Sequence, residues 1–352
     1  MNFRKVVKWI SPGEVKQDEE SIPDLKAGEI LLKVESCGIC GSDLKIIRNG
    51  NPRVATGQII GHEISGLVVK NNGAEGFKQG DRLSVGADVP CGSCYYCNNG
   101  MANCCEINYA IGHQFEGGFS EYMILNDLTL RLGPVRKLKE STSYDAAALA
   151  EPLACCINGY ERAQREDFNT VVIFGAGPIG LMLGSLAPLY GAKKIIMIDP
   201  NNDRLNRSRN MNLASEILNP SEVDVVSAVM DMTNGGGADL VFTANAVKET
   251  QSLGIQVLGR RGVINLFGGL PKNSGTIELD TNHIHYREAA ITGSHGSTPA
   301  QHQRALQMIE ENKINHAAFI THKYPLSDFE KAYQVAASGD AIKVMIKPHE
   351  LV

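Results

Sequence analysis

Four cysteines in the run CGSCYYCNNGMANCCE, namely Cys91, Cys94, Cys97 and Cys105, stand in a C-x2-C-x2-C-x7-C arrangement. Four thiolates in so short a loop can close a tetrahedron around Zn²⁺ and leave no position open, so the metal they imply is structural. Cys104 adjoins Cys105 and competes with it as fourth donor, although the spacing favours Cys105. A second set of donors is spread along the chain: Cys40 in GICGSD, His62 and Glu63 in GHE, and Glu151 in AAALAEPLACC. Zinc accepts thiolate, imidazole and carboxylate, and in catalytic sites it keeps a position for water or substrate. A single cysteine is most often a small buried hydrophobe and a single histidine a satisfied polar residue, so it is the combination that points to a metal. Glu151 lies among apolar neighbours that bury it, and a buried carboxylate needs a partner such as a cation.

A third constellation begins at TVVIFGAGPIG. An apolar strand runs into Gly175-x-Gly177-x-x-Gly180 and a helix, and the next strand, KIIMID, ends at Asp199. Glycines at this spacing allow a tight turn and let a pyrophosphate approach a helix N-terminus, where unpaired N–H groups favour anions. The strand before, the helix after and the acid at the end of the next strand are the context that gives the motif weight. Asp199 would accept hydrogen bonds from ribose hydroxyls and repel a 2′-phosphate, which favours NAD over NADP.

Holding three such sites takes more than one core, and 352 residues suggest two domains. Residues 3–10, 29–34, 59–69 and 82–85 read as strands separated by Pro and Gly turns, a β-rich region with reactive groups on its loops. Residues 144–163 read as helix interrupted at Glu151-Pro152. Beyond the glycine motif, strands at 238–244, 262–267 and 289–293 alternate with helical or loop stretches, as in a doubly wound parallel sheet. Helices at 300–311 and 328–337 and a strand at 342–347 are expected to return to the N-terminal domain.

A formal net charge of -5 and a pI near 6.0 give no footprint for nucleic acid or an anionic membrane, so the expected partner is a small molecule. Neither a signal-like apolar segment nor a membrane-length run is visible, and several of the 9 cysteines have metal spacing rather than a disulfide pattern. The expectation is a cytoplasmic protein.

With GICGSD, GHE, the four-cysteine lobe, EPL and the glycine motif all present in order, the chain resembles the zinc-dependent medium-chain dehydrogenases of the polyol (sorbitol dehydrogenase-like) branch. The resemblance implies an α/β fold: a Rossmann NAD-binding domain over 154–294 and a GroES-like, β-rich catalytic domain over 1–153 and 295–352 bearing the structural zinc lobe. It implies two zincs per chain, with Cys40, His62 and Glu63 on the catalytic one and Glu151 either ligating it or holding its water. By the same match Cys37 is a strand residue rather than a ligand, Asp43 orients His62, Ser42 is the first proton-relay hydroxyl, and Pro178, Ile179 and Arg204 join the cofactor-binding set. The implied reaction passes hydride between a secondary alcohol and NAD, in a homodimer or homotetramer.

One position departs from that pattern. Many members of the family carry a histidine five residues after the catalytic cysteine, where this chain has Lys45. Lys45 is either a solvated surface lysine or, with Arg48 or Arg53, a determinant for substrates bearing phosphate or carboxylate. In the loop GSHGST, His295 stands near where sorbitol enzymes place a substrate-contacting arginine. Two other functions fit parts of the sequence: oxidation of a hydroxy amino acid, as in threonine dehydrogenases, and a regulatory zinc- and NAD-binding protein. The EPL glutamate tilts against the first, and an open metal position with Ser42 beside it tilts against the second.

Overall fold

The computed structural model describes residues 2–165, 168–271 and 274–349. The chain divides into two compact units, Met1–Cys155 with Gly296–Val352, and Cys156–His295.

The first unit is built on one sheet with the strand order Val135–Lys137, Arg82–Val85, Glu63–Asn72, Glu29–Gly38, Lys343–Lys347, Ile320–Pro325. Tyr122–Leu125 also pairs with Glu29–Gly38. The C-terminal segment therefore does return to the N-terminal fold, where Ile346 pairs antiparallel with Cys37. A smaller sheet joins Glu14–Ser21, Phe3–Ser11 and Gln58–Ile59. Val7, Ile30, Leu32, Val34, Ile64, Leu83 and Phe119 are among the fully buried side chains of the core that these elements share.

Two details differ from the sequence reading. The strand expected over 59–69 is broken: Gln58–Ile59 and Glu63–Asn72 belong to different sheets. Gly61 lies between them at φ +94°, and the space beside it is filled by Cys37 and Phe119, so only glycine makes this turn cheaply. The break is what frees His62 from a strand. Glu14–Ser21, EVKQDEES, is a strand that sequence patterning passes over, because with little apolar alternation only its pairing to Phe3–Ser11 makes it one.

The second unit carries a six-stranded, all-parallel sheet in the order Glu216–Leu218, Lys194–Ile198, Thr170–Phe174, Ala238–Thr243, Leu258–Leu266, Ala290–Gly293. Its central strands read as near-continuous apolar runs because both of their faces are covered. Strand order reverses between Thr170–Phe174 and Ala238–Thr243, the type of switch point at which open α/β sheets bind ligands. Among the described residues, no helix is long and apolar enough to cross a membrane.

Candidate metal and cofactor sites

Cys91, Cys94, Cys97 and Cys105 place their sulfurs within 4.8 Å of one another. Cys94 and Cys97 are 3.4 Å apart, and Cys91–Cys97 and Cys94–Cys105 are each 3.9 Å apart. Zn–S bonds of about 2.3 Å set tetrahedral sulfurs about 3.8 Å apart, so the donor set fits zinc, and these spacings are far too long for disulfides. The backbone N–H groups of Cys91 and Asn108 donate to Cys105 Sγ at 3.3 and 3.4 Å, the pattern that stabilises a thiolate. Hydrogen bonds from the backbone of Ser93 and Cys94 bring the Cys91 thiol down to about 6, while burial pushes Cys97 up to about 12. Four adjacent thiols cannot all ionise alone; a divalent cation removes the conflict. Cys104 is exposed and lies outside this group of four sulfurs.

The second donor set is looser. Cys40 caps the helix Gly41–Asn49, and its N–H donates to Asp43 Oδ2 at 2.9 Å. His62 follows the turn at Gly61 and is almost fully buried. Its Nδ1 stands 3.3 Å from Asp43 Oδ1, although the two are not aligned as a hydrogen bond, and its Nε2 lies 3.2 Å from Ser42 Oγ. Burial disfavours the imidazolium, yet the nearby charges of Asp43 and Cys40 hold the His62 pKa well above its usual value. An imidazole with a carboxylate at Nδ1 and its Nε2 free to take a metal is the usual geometry of a zinc histidine.

Glu63 and Glu151 have opposite environments. Expected among the ligands, Glu63 is fully buried with both oxygens bonded to Lys343 Nζ at 2.7 and 2.8 Å. Its charge is thus paired with a protein cation. A Cβ on Gly38 would sit 2.0 Å from Glu63 Oε2, so the glycine before Ile39 is required for this carboxylate to fit. Glu151, in the first turn of Ala150–Arg162, has no lysine or arginine within ion-pair distance among the described residues. The Cys155 thiol donates to its Oε1 at 3.6 Å. Burial raises its pKa to about 7, against the pull of His62 and Lys343. Pro152 beside it costs the helix nothing, since N–H groups in the first turn have no helical partner. Among the described residues the four-cysteine group is the one set of three or more His, Cys, Asp and Glu ligand atoms within 4.8 Å, so the second set is not drawn into a closed shell. Its donor chemistry of thiolate, imidazole and carboxylate, with the buried Glu151 carboxylate lacking a lysine or arginine partner, fits a divalent cation.

Cys37 is buried in the strand core, where burial raises its thiol well above the usual range. Sequence reasoning missed Lys343 and His113. Lys343 carried a signal, a lysine inside the apolar run IKVMIK, which in a strand interior demands a partner. His113 carried none; its ring lies 6.5 Å from that of His62, and burial lowers its pKa, with His62 and Arg53 acting in the same direction.

In the second unit the three glycines have distinct roles. Gly175 adopts φ +108°, where a side chain would be strained and would also crowd the Ala244 carbonyl. Gly177 has nothing within 4 Å of a notional Cβ, leaving open space at the N-terminus of Pro178–Leu186. Gly180 lies so close to the Gly175 carbonyl that a Cβ would sit 1.8 Å from it. Turn, open approach and tight helix packing are the three requirements of a dinucleotide cradle. Pro178 is the first residue of that helix, Ile179 lies in its first turn, and Asp199 Oδ2 accepts from Ala176 N at 2.8 Å. Asp199 Oδ1 accepts from Asn201 N at 2.9 Å, and Arg204 Nη1 is 3.8 Å from Oδ2. His295 accepts at its carbonyl from Asn158, at 3.3 Å.

Residues 26–133 match the alcohol dehydrogenase GroES-like domain, and residues 178–311 match the zinc-binding dehydrogenase domain. The chain is 31% identical over 339 residues to sorbitol dehydrogenase of Halalkalibacterium halodurans, covering 96% of each. The chain belongs to the zinc-dependent medium-chain alcohol dehydrogenase family. D-arabitol-phosphate dehydrogenase of Enterococcus avium is 32% identical over 331 residues, covering 93% of this chain and 92% of the other. A zinc-binding dehydrogenase from Sinorhizobium meliloti bound to NADP superposes with a TM-score of 0.91 at 28% identity, covering 99% and 100% of the two chains. As a member of this family the chain is a zinc-type oxidoreductase with a GroES-like domain and a Rossmann sheet.

Proposed function

We propose that the chain oxidises a secondary alcohol of a polyol or polyol derivative to the ketone, with NAD as hydride acceptor. The reading rests on the contrast between two buried glutamates: Glu63 is neutralised by Lys343, whereas Glu151 is left for an exogenous cation beside Cys40 and His62. Sorbitol and arabitol-phosphate enzymes among the relatives favour a polyol over a hydroxy amino acid.

Cys40, His62 and Glu151 would hold the catalytic zinc, with Glu63 and Lys343 behind them, and Cys91, Cys94, Cys97 and Cys105 the structural one. Zinc at the first site supplies Lewis acidity that makes an alcohol hydroxyl easier to deprotonate. Ser42 Oγ, beside His62 Nε2, would accept the alcohol's proton while passing its own to solvent, as the first hydroxyl of a relay. Asp43 fixes the imidazole through its Nδ1 and fixes the Cys40 loop through the Cys40 N–H. Gly175, Gly177, Pro178, Ile179 and Gly180 form the pyrophosphate cradle, and Asp199, with a lone pair left on each oxygen, takes the adenosine ribose. Arg204 lies along that edge.

Ala290–Gly293 is an edge strand with Ile291 41% exposed, and we assign it to a homodimer or homotetramer contact, to be tested by sedimentation. Nine free cysteines suit a reducing cytoplasm.

Two measurements test the function. Metal analysis should give two zincs per chain. Nicotinamide absorbance with NAD and NADP, across polyols, their phosphate esters, sugar acids and threonine, should give turnover on the polyol series with NAD. Threonine as the best substrate would overturn the polyol assignment.

A further inference from the structure

Between Asp43 and Glu63 the sequence holds Lys45, Arg48 and Arg53 and no acidic residue. Several other cations of this unit are paired with carboxylates: Arg4 with Glu20 and Glu116, Lys8 with Glu20, Lys323 and Lys347 with Asp145, Lys343 with Glu63. Arg48 is directed away, with its Nε donating to Tyr333 Oη at 3.4 Å. Lys45 and Arg53 remain.

Both stand on the segment between Cys40 and His62. Lys45 is exposed on Gly41–Asn49, three residues after Ser42, whose hydroxyl lies 3.2 Å from His62. Residues three apart share a helix face, so Lys45 stands on the same face of the helix as Ser42. Arg53 arrives from the other loop. Its Nη2 donates to the carbonyl of Asn108 and, at 3.5 Å, to Gln114 Oε1, while Gln114 Nε2 returns a bond to Arg53 O at 3.3 Å. These ties hold Arg53 beside the turn carrying His113, whose ring is 6.5 Å from that of His62. Both acceptors are neutral, so the guanidinium keeps its full charge, and among the described residues neither Lys45 nor Arg53 forms an ion pair.

We infer that Lys45 and Arg53 form an oxyanion-binding edge of this site and that the substrate polyol carries a terminal phosphate. Two separated cations match a phosphate dianion, which accepts from both at once. A sugar acid presents the same chemistry with one charge. This inference rests on the polyol dehydrogenase reading and sharpens it to an anionic substrate.

The test compares kcat/KM for a polyol, its terminal phosphate and the corresponding sugar acid on the zinc-loaded enzyme, alongside calorimetric binding of the polyol phosphate without nicotinamide. Wild type should prefer the phosphate, and the preference should shrink as salt rises. Lys45→Gln should lower the phosphate-to-polyol ratio by about tenfold or more, Lys45→Arg should restore it, and Arg53→Gln should lower it likewise. A sugar acid preferred over the phosphate would overturn the phosphate assignment. Equal kcat/KM for neutral and anionic polyols, or variants that lose both in parallel, would overturn the edge itself while leaving the dehydrogenase reading intact. Tight phosphate binding that Lys45→Gln weakens, with no polyol of any kind oxidised, would uphold the edge and overturn the dehydrogenase reading.

Discussion

Both carboxylate oxygens of Glu63 accept hydrogen bonds from Lys343 Nζ, at 2.7 and 2.8 Å, in a pair shielded from solvent. Lys343 also donates to the Ile39 carbonyl at 3.3 Å, tying the C-terminal strand to the loop that presents Cys40. Burial opposes the ammonium, but the charges of Glu63, Cys40 and Glu151 hold its pKa above the ordinary lysine value.

Removing one member of this pair strands the other. Lys343→Met should therefore cost about 3–5 kcal/mol, the usual penalty for an uncompensated buried charge, read as a fall in the urea midpoint. Lys343→Met combined with Glu63→Gln should recover much of the loss. If the double variant is as unstable as the single one, the pair is not what Lys343 is there for.

The structural zinc gives a separable prediction. Cys97→Ser should reduce metal content from two zincs per chain to one and expose the 91–107 loop to proteolysis, because the sulfur cluster holds that loop in place of a core. Cys104→Ser should change neither. Metal content unaltered in Cys97→Ser would remove this thiol from the donor set.

How much of this was legible in sequence depended on the range of the signal. The cysteine lobe and the glycine motif are local: spacing favoured Cys105 over Cys104 without deciding between them, and the open space at Gly177 and the crowding at Gly180 follow from the motif. The Glu63–Lys343 pair spans 280 residues. No local pattern distinguishes a carboxylate that will face a lysine from one that will not, so the partner of Glu63 stayed hidden until strand pairing placed Lys343. Likewise the strand break at Gly61 is invisible to apolar periodicity, since Ile59, Ile60 and Ile64 continue the pattern across it.

Asp199 divides its oxygens between the Ala176 and Asn201 N–H groups, leaving acceptor capacity for ribose hydroxyls. Asp199→Asn keeps one acceptor for the turn and removes the charge. It should raise the NADP-to-NAD ratio of kcat/KM by roughly tenfold or more, because like-charge juxtaposition with a 2′-phosphate is relieved while Arg204 remains. An unchanged ratio would mean that cofactor choice is made elsewhere.

His302 is the residue through which acid should weaken the fold. Ser84 Oγ spends its proton on the Ala147 carbonyl at 2.9 Å, so the 3.0 Å contact with His302 is an Nε2–H donation, and Nδ1 is left bare, buried and without a hydrogen-bond partner. Burial, helped by the positive charge of Arg136, lowers the His302 pKa to about 3. In the unfolded chain it returns to the ordinary value of about 6.5. Between those two values the unfolded state binds more protons, so the stability His302 contributes is complete above about pH 6.5 and drains away as pH falls, by at most about 1.4 kcal/mol per unit. His302→Gln retains a donor for Ser84 and does not titrate. Its stability deficit against wild type, measured by urea unfolding from neutral to mildly acidic pH, should narrow as pH falls; curves that stay parallel would show that the buried imidazole is not what titrates.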